Sequence, residues 1–201
     1  MKTMFAMTAV GLALAAASGA EAKTVAVTAA RMVDVLKGQV VQNPVVVITD
    51  GRISAVGVQG QVQVPADAEH VDLPGETLLP GLIDMHVHMD SDPTYGGFNS
   101  LLFTDNFWTV IGVRNAKRDL DAGFTTVRNV GSGDFNDVAL MQAIDEKVIV
   151  GPRIVPSGGL IGATGGHCDS NEFPPSMKQA SPNVADSPEA GVFKVRYMKK
   201  Y

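Results

Sequence analysis

Short valine-rich runs separated by turn residues fill the chain between residues 23 and 64. Two of these runs, Val45–Thr49 and Arg52–Val58, flank Asp50-Gly51. Both central positions of a type I′ turn require positive φ, which Asp and Gly tolerate, so this pattern predicts a β-hairpin. The segment as a whole predicts an antiparallel β module of about 40 residues.

Extended segments continue at Val71–Leu73 and Leu78-Leu79. We expect Pro74-Gly75 to break this strand, because Pro lacks a backbone donor and Gly favours turns. After Gly81 the hydrophobic period changes, so we place a domain boundary between residues 78 and 79.

The rest of the chain alternates strand and helix patterns, which is typical of α/β folds with βαβ units and a parallel sheet. The predicted strands are Leu82–Val87, Phe124–Val130 and Arg153–Pro156, and the predicted helices are Asp105–Ala122, Asp137–Glu146 and a last one opened by Ser187-Pro188-Glu189.

The first 22 residues have the composition of a secretory signal peptide. Lys2 precedes an apolar stretch from Met4 to Ala17, and Ala20-Glu21-Ala22 is a small-x-small cleavage pattern. The apolar stretch is shorter than the roughly 20 residues that span a bilayer, so no stable membrane anchor is predicted. We therefore expect an exported, periplasmic or secreted protein.

Composition narrows the partners. The 201 residues carry a net charge of −5 with no run of basic residues, which argues against nucleic acid and anionic membrane surfaces as partners. One cysteine and four histidines leave no material for a Cys/His structural zinc site, so histidines and carboxylates must hold any metal. The sequence predicts no particular oligomeric state.

His86-Val87-His88 is the most informative short motif. Residues i and i+2 of a strand point to the same face, so the two imidazoles are expected side by side, as two nitrogen ligands of one divalent ion. A polar loop follows, which places the pair at the carboxyl end of its strand, where α/β folds keep their sites. The alternative is an exposed pair of histidines with no ligand.

Several longer strings occur together in this order: Asp50-Gly51-Arg52-Ile53, then Leu79-Pro80-Gly81-Leu82-Ile83-Asp84-Met85-His86-Val87-His88, then Asp121-Ala122-Gly123-Phe124-Thr125-Thr126-Val127-Arg128, and finally the loop from Gly158-Gly159 through Thr164-Gly165-Gly166-His167. Their combination closely resembles the amidohydrolase superfamily of metal-dependent hydrolases, in its imidazolonepropionase-like and Xaa-Pro dipeptidase-like branch.

This resemblance implies a (β/α)₈ TIM barrel that carries one or two divalent metals, usually zinc, beside a small β-sandwich. His86 and His88 match the first two metal ligands of the family. Residues 23–78 would then form the N-terminal sandwich module and residues 79–201 an incomplete barrel of about three βα units. The remaining ligands of the family would lie beyond Tyr201.

Other residues are candidates for roles beside the metal. His167 is expected to contact substrate, or to be an ordinary loop histidine, and Arg128 to reach the site or to pair with a neighbouring acid. Asp84 lies two residues before His86 and is expected to share its face or to act as a structural carboxylate. Asn129 stands where relatives often carry aspartate, and Cys168 is a lone thiol without an evident base.

Two functional hypotheses follow. In the first, the chain is the N-terminal portion of a metal-dependent hydrolase that cleaves a C–N bond of a small amide, a cyclic amide or a dipeptide through a metal-activated water. No residue of the chain is assigned as catalytic in that scheme, and the chain by itself is expected to be inactive. In the second, the chain is a truncated, non-catalytic remnant, at most a weak metal-binding or associating module.

Overall fold

A computed structural model describes residues 23–177 and 181–201. The described residues divide into two compact units, one ending at Leu79 and one beginning at Pro80, a residue beyond the predicted boundary. The predicted signal peptide lies outside the described residues. Within them, no helix combines the length and the apolar character that crossing a membrane requires.

The first unit is one five-stranded sheet in which β1 is central. Strand β1 pairs antiparallel with β2 and β3, β3 pairs antiparallel with β4, and β5 pairs with β1 in parallel. The described part shows this single sheet, and the second layer of a sandwich stays a prediction. The strands are β1 (Thr24–Asp34), β2 (Gln39–Gln42), β3 (Pro44–Thr49), β4 (Arg52–Val58) and β5 (Glu69–Leu78).

The predicted hairpin is confirmed. Asp50 and Gly51 link β3 to β4 with φ values of 52° and 72°, the positive values that a type I′ turn needs. The alternation of β3 buries Val45 and Val47, each 3% exposed, against Ala26 of β1. The valine pattern therefore predicted the strand, and alternate valines of β3 form its buried face.

The expectation that Pro74-Gly75 ends the strand was wrong. Strand β5 continues through both residues, and its pairing with β1 shifts there, from Leu73 opposite Ala29 to Thr77 opposite Arg31. The two additional residues form a bulge, which accommodates a proline without losing the strand. Arg31 stabilises the bulge, because its Nη2 donates to the Gly75 carbonyl at 3.1 Å. The antiparallel module predicted for residues 23–64 is confirmed by β1 to β4, and β5, which lies beyond it, runs parallel to β1.

The second unit confirms the predicted βαβ arrangement. Its three strands pair in parallel in chain order, with α1 between β6 and β7 and α2 between β7 and β8. The elements are β6 (Leu82–Val87), α1 (Asp105–Asp121), β7 (Phe124–Asn129), α2 (Asn136–Asp145), β8 (Arg153–Val155) and α3 (Pro188–Lys200).

The ends of the helices follow from the sequence. Gly123, with φ of 94°, follows the last residues of α1, and the Ser187 hydroxyl accepts a hydrogen bond from the Ala190 amide at the start of α3. The core of this unit lies between one face of the three-stranded sheet and helices α1 and α2. It consists of Met89, Ala116, Val127, Leu140 and Ile154, each at most 4% exposed.

Candidate functional site

The structure brings His86 and His88 together at the carboxyl end of β6. Their ring centroids are 5.5 Å apart and the rings meet edge to face at 75°. Both residues are exposed, so the two rings are accessible from outside the described unit. This is the side-by-side arrangement that the His-x-His spacing predicts.

A β-bulge in β6 sets the direction of these side chains. Met85 and His86 both stand between Asp84 and Val87 on β6, whereas Arg128 alone stands between the paired residues of β7. Bulges of this kind redirect side chains beside functional sites. Alternation alone would not place the residues before and after the bulge correctly.

Asp84 is the residue most affected by this bulge. It lies opposite Val127, whose side chain is in the core, so the expectation that Asp84 shares the face of His86 was wrong. Its Oδ1 accepts a hydrogen bond from the His86 backbone amide at 2.9 Å. Burial raises the pKa of Asp119 on α1, and the Asp84 carboxylate raises it further. Asp84 therefore acts as a structural carboxylate of the strand.

The ring of His88 has a defined proton position. Its Nδ1 lies 3.1 Å from the Gly131 carbonyl oxygen. A carbonyl oxygen can only accept, so Nδ1 carries the hydrogen and Nε2 of a neutral ring keeps its lone pair. Metal-binding histidines commonly have this arrangement, in which a backbone carbonyl orients the ring from behind.

The residue after His88 is held from three directions. The Met89 side chain is 1% exposed in the core, its amide donates to Asn129 Oδ1 at 2.8 Å, and its carbonyl accepts from Asn115 Nδ2 at 2.8 Å. Asn115 also donates to the Ser91 carbonyl at 2.9 Å. Helix α1 therefore fixes the start of the loop that leaves the histidine pair.

Two carboxylates hold this loop farther along. Asp90 Oδ2 accepts from Ser132 Oγ at 2.7 Å and from Asn136 Nδ2 at 3.1 Å, both in the segment after β7. The hydrogen bonds from Thr94, with a smaller contribution from the neighbouring Arg114 guanidinium, hold the pKa of Asp92 below its usual value. The loop after β6 is thus attached to the segment after β7 through Asp90 and to α1 through Asp92.

Among the described residues, neither Arg128 nor His167 makes a hydrogen bond or salt bridge with His86 or His88. Arg128 is half-buried, and its Nη1 donates to the Pro156 carbonyl at 3.1 Å. His167 is exposed in a loop that Asp169 organises by accepting from the Gly165 amide at 2.8 Å. That bond and two further backbone donors lower the pKa of Asp169. Substrate binding by Arg128 and His167 stays a prediction.

A cavity of about 730 Å³ adjoins this region. Its lining includes Gly131, whose carbonyl binds His88, but neither histidine of the pair. Further lining residues are Asp90, Trp108, Phe135, Lys194 and Tyr197.

The residues present fit one part of a metal site. Two imidazoles lie side by side, and the hydrogen bond to Gly131 leaves Nε2 of His88 free for a metal. Across residues 23–177 and 181–201, no group of three or more His, Cys, Asp or Glu side chains is arranged to hold an ion. The described residues therefore supply two nitrogen donors, whereas catalytic zinc usually has three protein ligands.

Sequence reasoning missed Asn129 and Asp137 as parts of this site. Both side chains are fully buried, and Asn129 Nδ2 donates to the Gly131 carbonyl and to Asp137 Oδ2. An acid in the first turn of a helix is common, so the sequence around Asp137 gave no signal that distinguished it. Asn129 stood out only because relatives often carry aspartate there. The hydrogen bonds of its side-chain amide to Met89 and Asp137 were not predictable, because these partners are distant in sequence.

Parallel strands that carry this histidine pair at their carboxyl end place the second unit among α/β proteins that build their sites at that edge. The sequence profile of the amidohydrolase family matches residues 77–199, more than half of the chain. The chain therefore belongs to the amidohydrolase family, as the sequence strings predicted.

Particular relatives agree with this assignment. An ochratoxinase from Aspergillus niger is 30% identical over 146 residues, which cover 68% of this chain and 28% of that protein. An imidazolonepropionase from a Bradyrhizobium species is 29% identical over 126 residues, covering 60% and 27%. The crystal structure of a Xaa-Pro dipeptidase superposes with a TM-score of 0.77 at 27% identity, covering 89% of this chain and 45% of the dipeptidase.

The chain spans less than half the length of these relatives. The superposition extends through the α/β unit, so its fold is of the amidohydrolase barrel type.

Proposed function

We propose that the protein hydrolyses a C–N bond of a small amide, a cyclic amide or a dipeptide, with a divalent metal bound by His86 and His88. Membership of the amidohydrolase family supports the hydrolytic role. The observation that carries the metal assignment is the 3.1 Å contact between His88 Nδ1 and the Gly131 carbonyl, because it leaves Nε2 available beside the His86 ring.

Zinc is the metal that we favour. Imidazole nitrogen suits zinc well, although it also binds other first-row divalent ions. A divalent ion at this position would supply Lewis-acid polarisation of the amide carbonyl and would lower the pKa of a bound water molecule. The two histidines would hold and orient that ion, and the hydrogen bond from His88 Nδ1 to the Gly131 carbonyl keeps the His88 ring in place.

The substrate class is proposed from the relatives and from the site. The names of the relatives refer to a dipeptide, an imidazolone and ochratoxin, which are small molecules. Arg128 would supply a cation for a substrate carboxylate, and His167 would contact substrate from the loop after β8. We further propose that residues 1–22 direct export, so that the protein works in the periplasm or outside the cell.

The test is hydrolysis of a panel of Xaa-Pro dipeptides and small lactams by the protein of which this chain would be the N-terminal portion, with the metal removed and restored. We expect turnover that a chelator abolishes, that zinc restores, and that His86→Ala lacks. His70→Gln is the matched control, because His70 is an exposed histidine of the first unit. Hydrolysis that is unaffected by both the chelator and His86→Ala would contradict the proposal.

A second candidate is a non-catalytic module that binds metal weakly. The observation that favours it is the grouping of two, and no more, potential metal ligands among the described residues. Zinc binding by the chain that His86→Ala removes, without hydrolysis of any member of the panel, would support this candidate over the enzyme.

A further inference from the structure

The Asn129 side chain makes three hydrogen bonds in a fully buried position. Its Oδ1 accepts from the Met89 amide at 2.8 Å. Its Nδ2 donates to the Gly131 carbonyl at 3.1 Å and to Asp137 Oδ2 at 3.1 Å. One amide group therefore contacts the residue that follows His88 and also the carbonyl that accepts from His88.

The orientation of this amide is determined by its neighbours. Met89 presents an N–H, which only an oxygen can accept, and both Gly131 and Asp137 present oxygens, which need a donor. A flipped amide would lose all three bonds inside a buried site, where unpaired polar groups are costly. Asn129 thus has a single favourable orientation.

Asp137 anchors the arrangement from the other side. Its carboxylate is fully buried, and Oδ2 accepts from the Ser157 amide at 2.8 Å and the Gly158 amide at 3.0 Å as well as from Asn129. Asp137 therefore joins the ends of β7 and β8 at the point where Asn129 needs a fixed acceptor.

We propose that Asn129 is a positioning residue that fixes the tautomer of His88. It holds the Gly131 carbonyl and the Met89 amide in one geometry, so that the carbonyl accepts from Nδ1–H of His88 and Nε2 keeps its lone pair. Asp137 positions Asn129 in turn. The hydrogen bonds run in series from the buried carboxylate to the exposed imidazole.

That this tautomer matters for metal binding rests on the proposed function. The tautomer itself is inferred from the hydrogen bonds alone. Without the hydrogen bond from Asn129, the Gly131 carbonyl would be able to rotate away from His88. The neutral imidazole would then exchange between its two tautomers. A partner of this kind behind a ligand histidine typically changes metal affinity by about 10 to 100-fold. Removing the Asn129 donor should therefore alter both the tautomer and the affinity.

The test is a long-range ¹H–¹⁵N spectrum of the neutral imidazoles in the metal-free chain, with His88 assigned by His88→Gln. We expect His88 to be a single Nδ1–H tautomer in the wild-type chain and a mixture in Asn129→Asp. The aspartate has the shape of asparagine, but it places an acceptor against the Gly131 and Asp137 oxygens. Asn129→Ala, which lacks the donor without adding a charge, gives the same comparison if Asn129→Asp does not fold.

Thr109→Val is the matched control. It removes the half-buried bond from Thr109 Oγ1 to Asn136 Oδ1 in the same unit and leaves the Asn129 bonds intact. We expect the His88 tautomer to be unchanged in this variant. An Nε2–H tautomer in the wild-type chain, or an unchanged His88 tautomer in a folded Asn129 variant, would overturn the proposal.

Zinc titration separates this inference from the proposed function. An Asn129 variant that binds zinc about 10-fold more weakly, together with its tautomer change, supports both. If the wild-type histidine pair does not bind zinc but its tautomer responds to Asn129 as expected, the proposed function fails and the positioning role stands.

Discussion

Asp137 is a buried carboxylate with four hydrogen-bond donors around it. Three of them, the Asn129 side chain and the Ser157 and Gly158 amides, converge on Oδ2, and the Val138 amide donates to Oδ1. A carboxyl group is accommodated in the interior only where donors replace the water that it has lost. A substitution that removes the Asp137 carboxyl group would leave these donors without an acceptor and so destabilise the fold.

Asp137→Ala should lower the free energy of unfolding by about 3 kcal/mol or more, because it leaves buried donors unpaired. Urea denaturation measures this change. Asp145→Ala is the matched control, since Asp145 is exposed on the same helix, and we expect it to stay within about 0.5 kcal/mol of the wild type. Equal effects of the two substitutions would show that the buried hydrogen bonds contribute little.

Asp119 gives a pH-dependent prediction in which a substitution stabilises the fold, unlike Asp137→Ala. Burial, and then the Asp84 carboxylate, raise its pKa above the ordinary value of 3.8. The folded state therefore binds this proton more tightly than the unfolded state, and ionisation costs stability once the pH exceeds the raised pKa. Asp119→Asn removes that cost.

We expect Asp119→Asn to stabilise the fold near pH 7 by less than about 1 kcal/mol, because Asp119 is only half-buried and the solvent screens its charge. The gain should vanish at about pH 3, where both states are protonated. Asp121→Asn is the control, since that exposed acid pairs with Lys117 and should show no gain. Denaturation curves at both pH values provide the measurement, and a gain that persists at low pH would contradict the assigned cause.

At this scale the sequence predicted the histidine pair and missed what supports it. Side-chain alternation on a strand is a local rule, so His86 and His88 could be placed together from their spacing. The bulge that separates Asp84 from them depends on pairing with β7, about 40 residues later in the chain. The partners of Asn129 also come from distant segments, at Met89 and Asp137, and no local pattern identifies them.

Helices α1 and α2 pack closely at Gly112. A Cβ built on this buried glycine would lie 2.4 Å from Leu140 Cδ1, and Leu140 is 1% exposed in the core. Glycine at this place in α1 therefore allows the approach of α2, although it lowers helix propensity.

Gly112→Ala should destabilise the fold by about 1 to 2 kcal/mol, because overpacking outweighs the gain of up to about 1 kcal/mol in helix propensity. Gly191→Ala provides the comparison, since nothing lies within 4 Å of its Cβ position on α3. That variant should gain up to about 1 kcal/mol. Thermal or urea denaturation measures both changes, and a stabilised Gly112→Ala would show that Leu140 moves aside at little cost.

Elements were predictable where local chemistry decides them. The Asp50-Gly51 turn, the Ser187 cap and the strand and helix alternation after Gly81 all rest on neighbouring residues. The course of β5 through Pro74-Gly75 rests instead on β1, whose Arg31 side chain binds the bulge. A proline signal is local, and a distant partner strand can override it.

On the scale of the whole molecule, β6 presents an apolar surface as well as the histidine pair. Leu82, Ile83 and Met85 are 47%, 61% and 68% exposed. In the barrel that family membership implies, residues of this kind would line the interior, and the strand order supports three neighbouring barrel strands. The sequence predicted these three units because each has its own hydrophobic period. The further ligands that the family resemblance implies would lie on later strands, which the spacing of His86 and His88 cannot reveal.

The central claim is that His86 and His88 together bind a divalent metal, and calorimetric titration of the chain with zinc tests it most directly. We predict one binding event per chain in the wild type that is lost in His86→Ala and in His88→Ala and is retained in His70→Gln. Because both histidines are exposed, the substitutions should leave the fold intact, which circular dichroism checks. Zinc binding that is undiminished in both variants, or no zinc binding by the folded wild-type chain, would contradict the account.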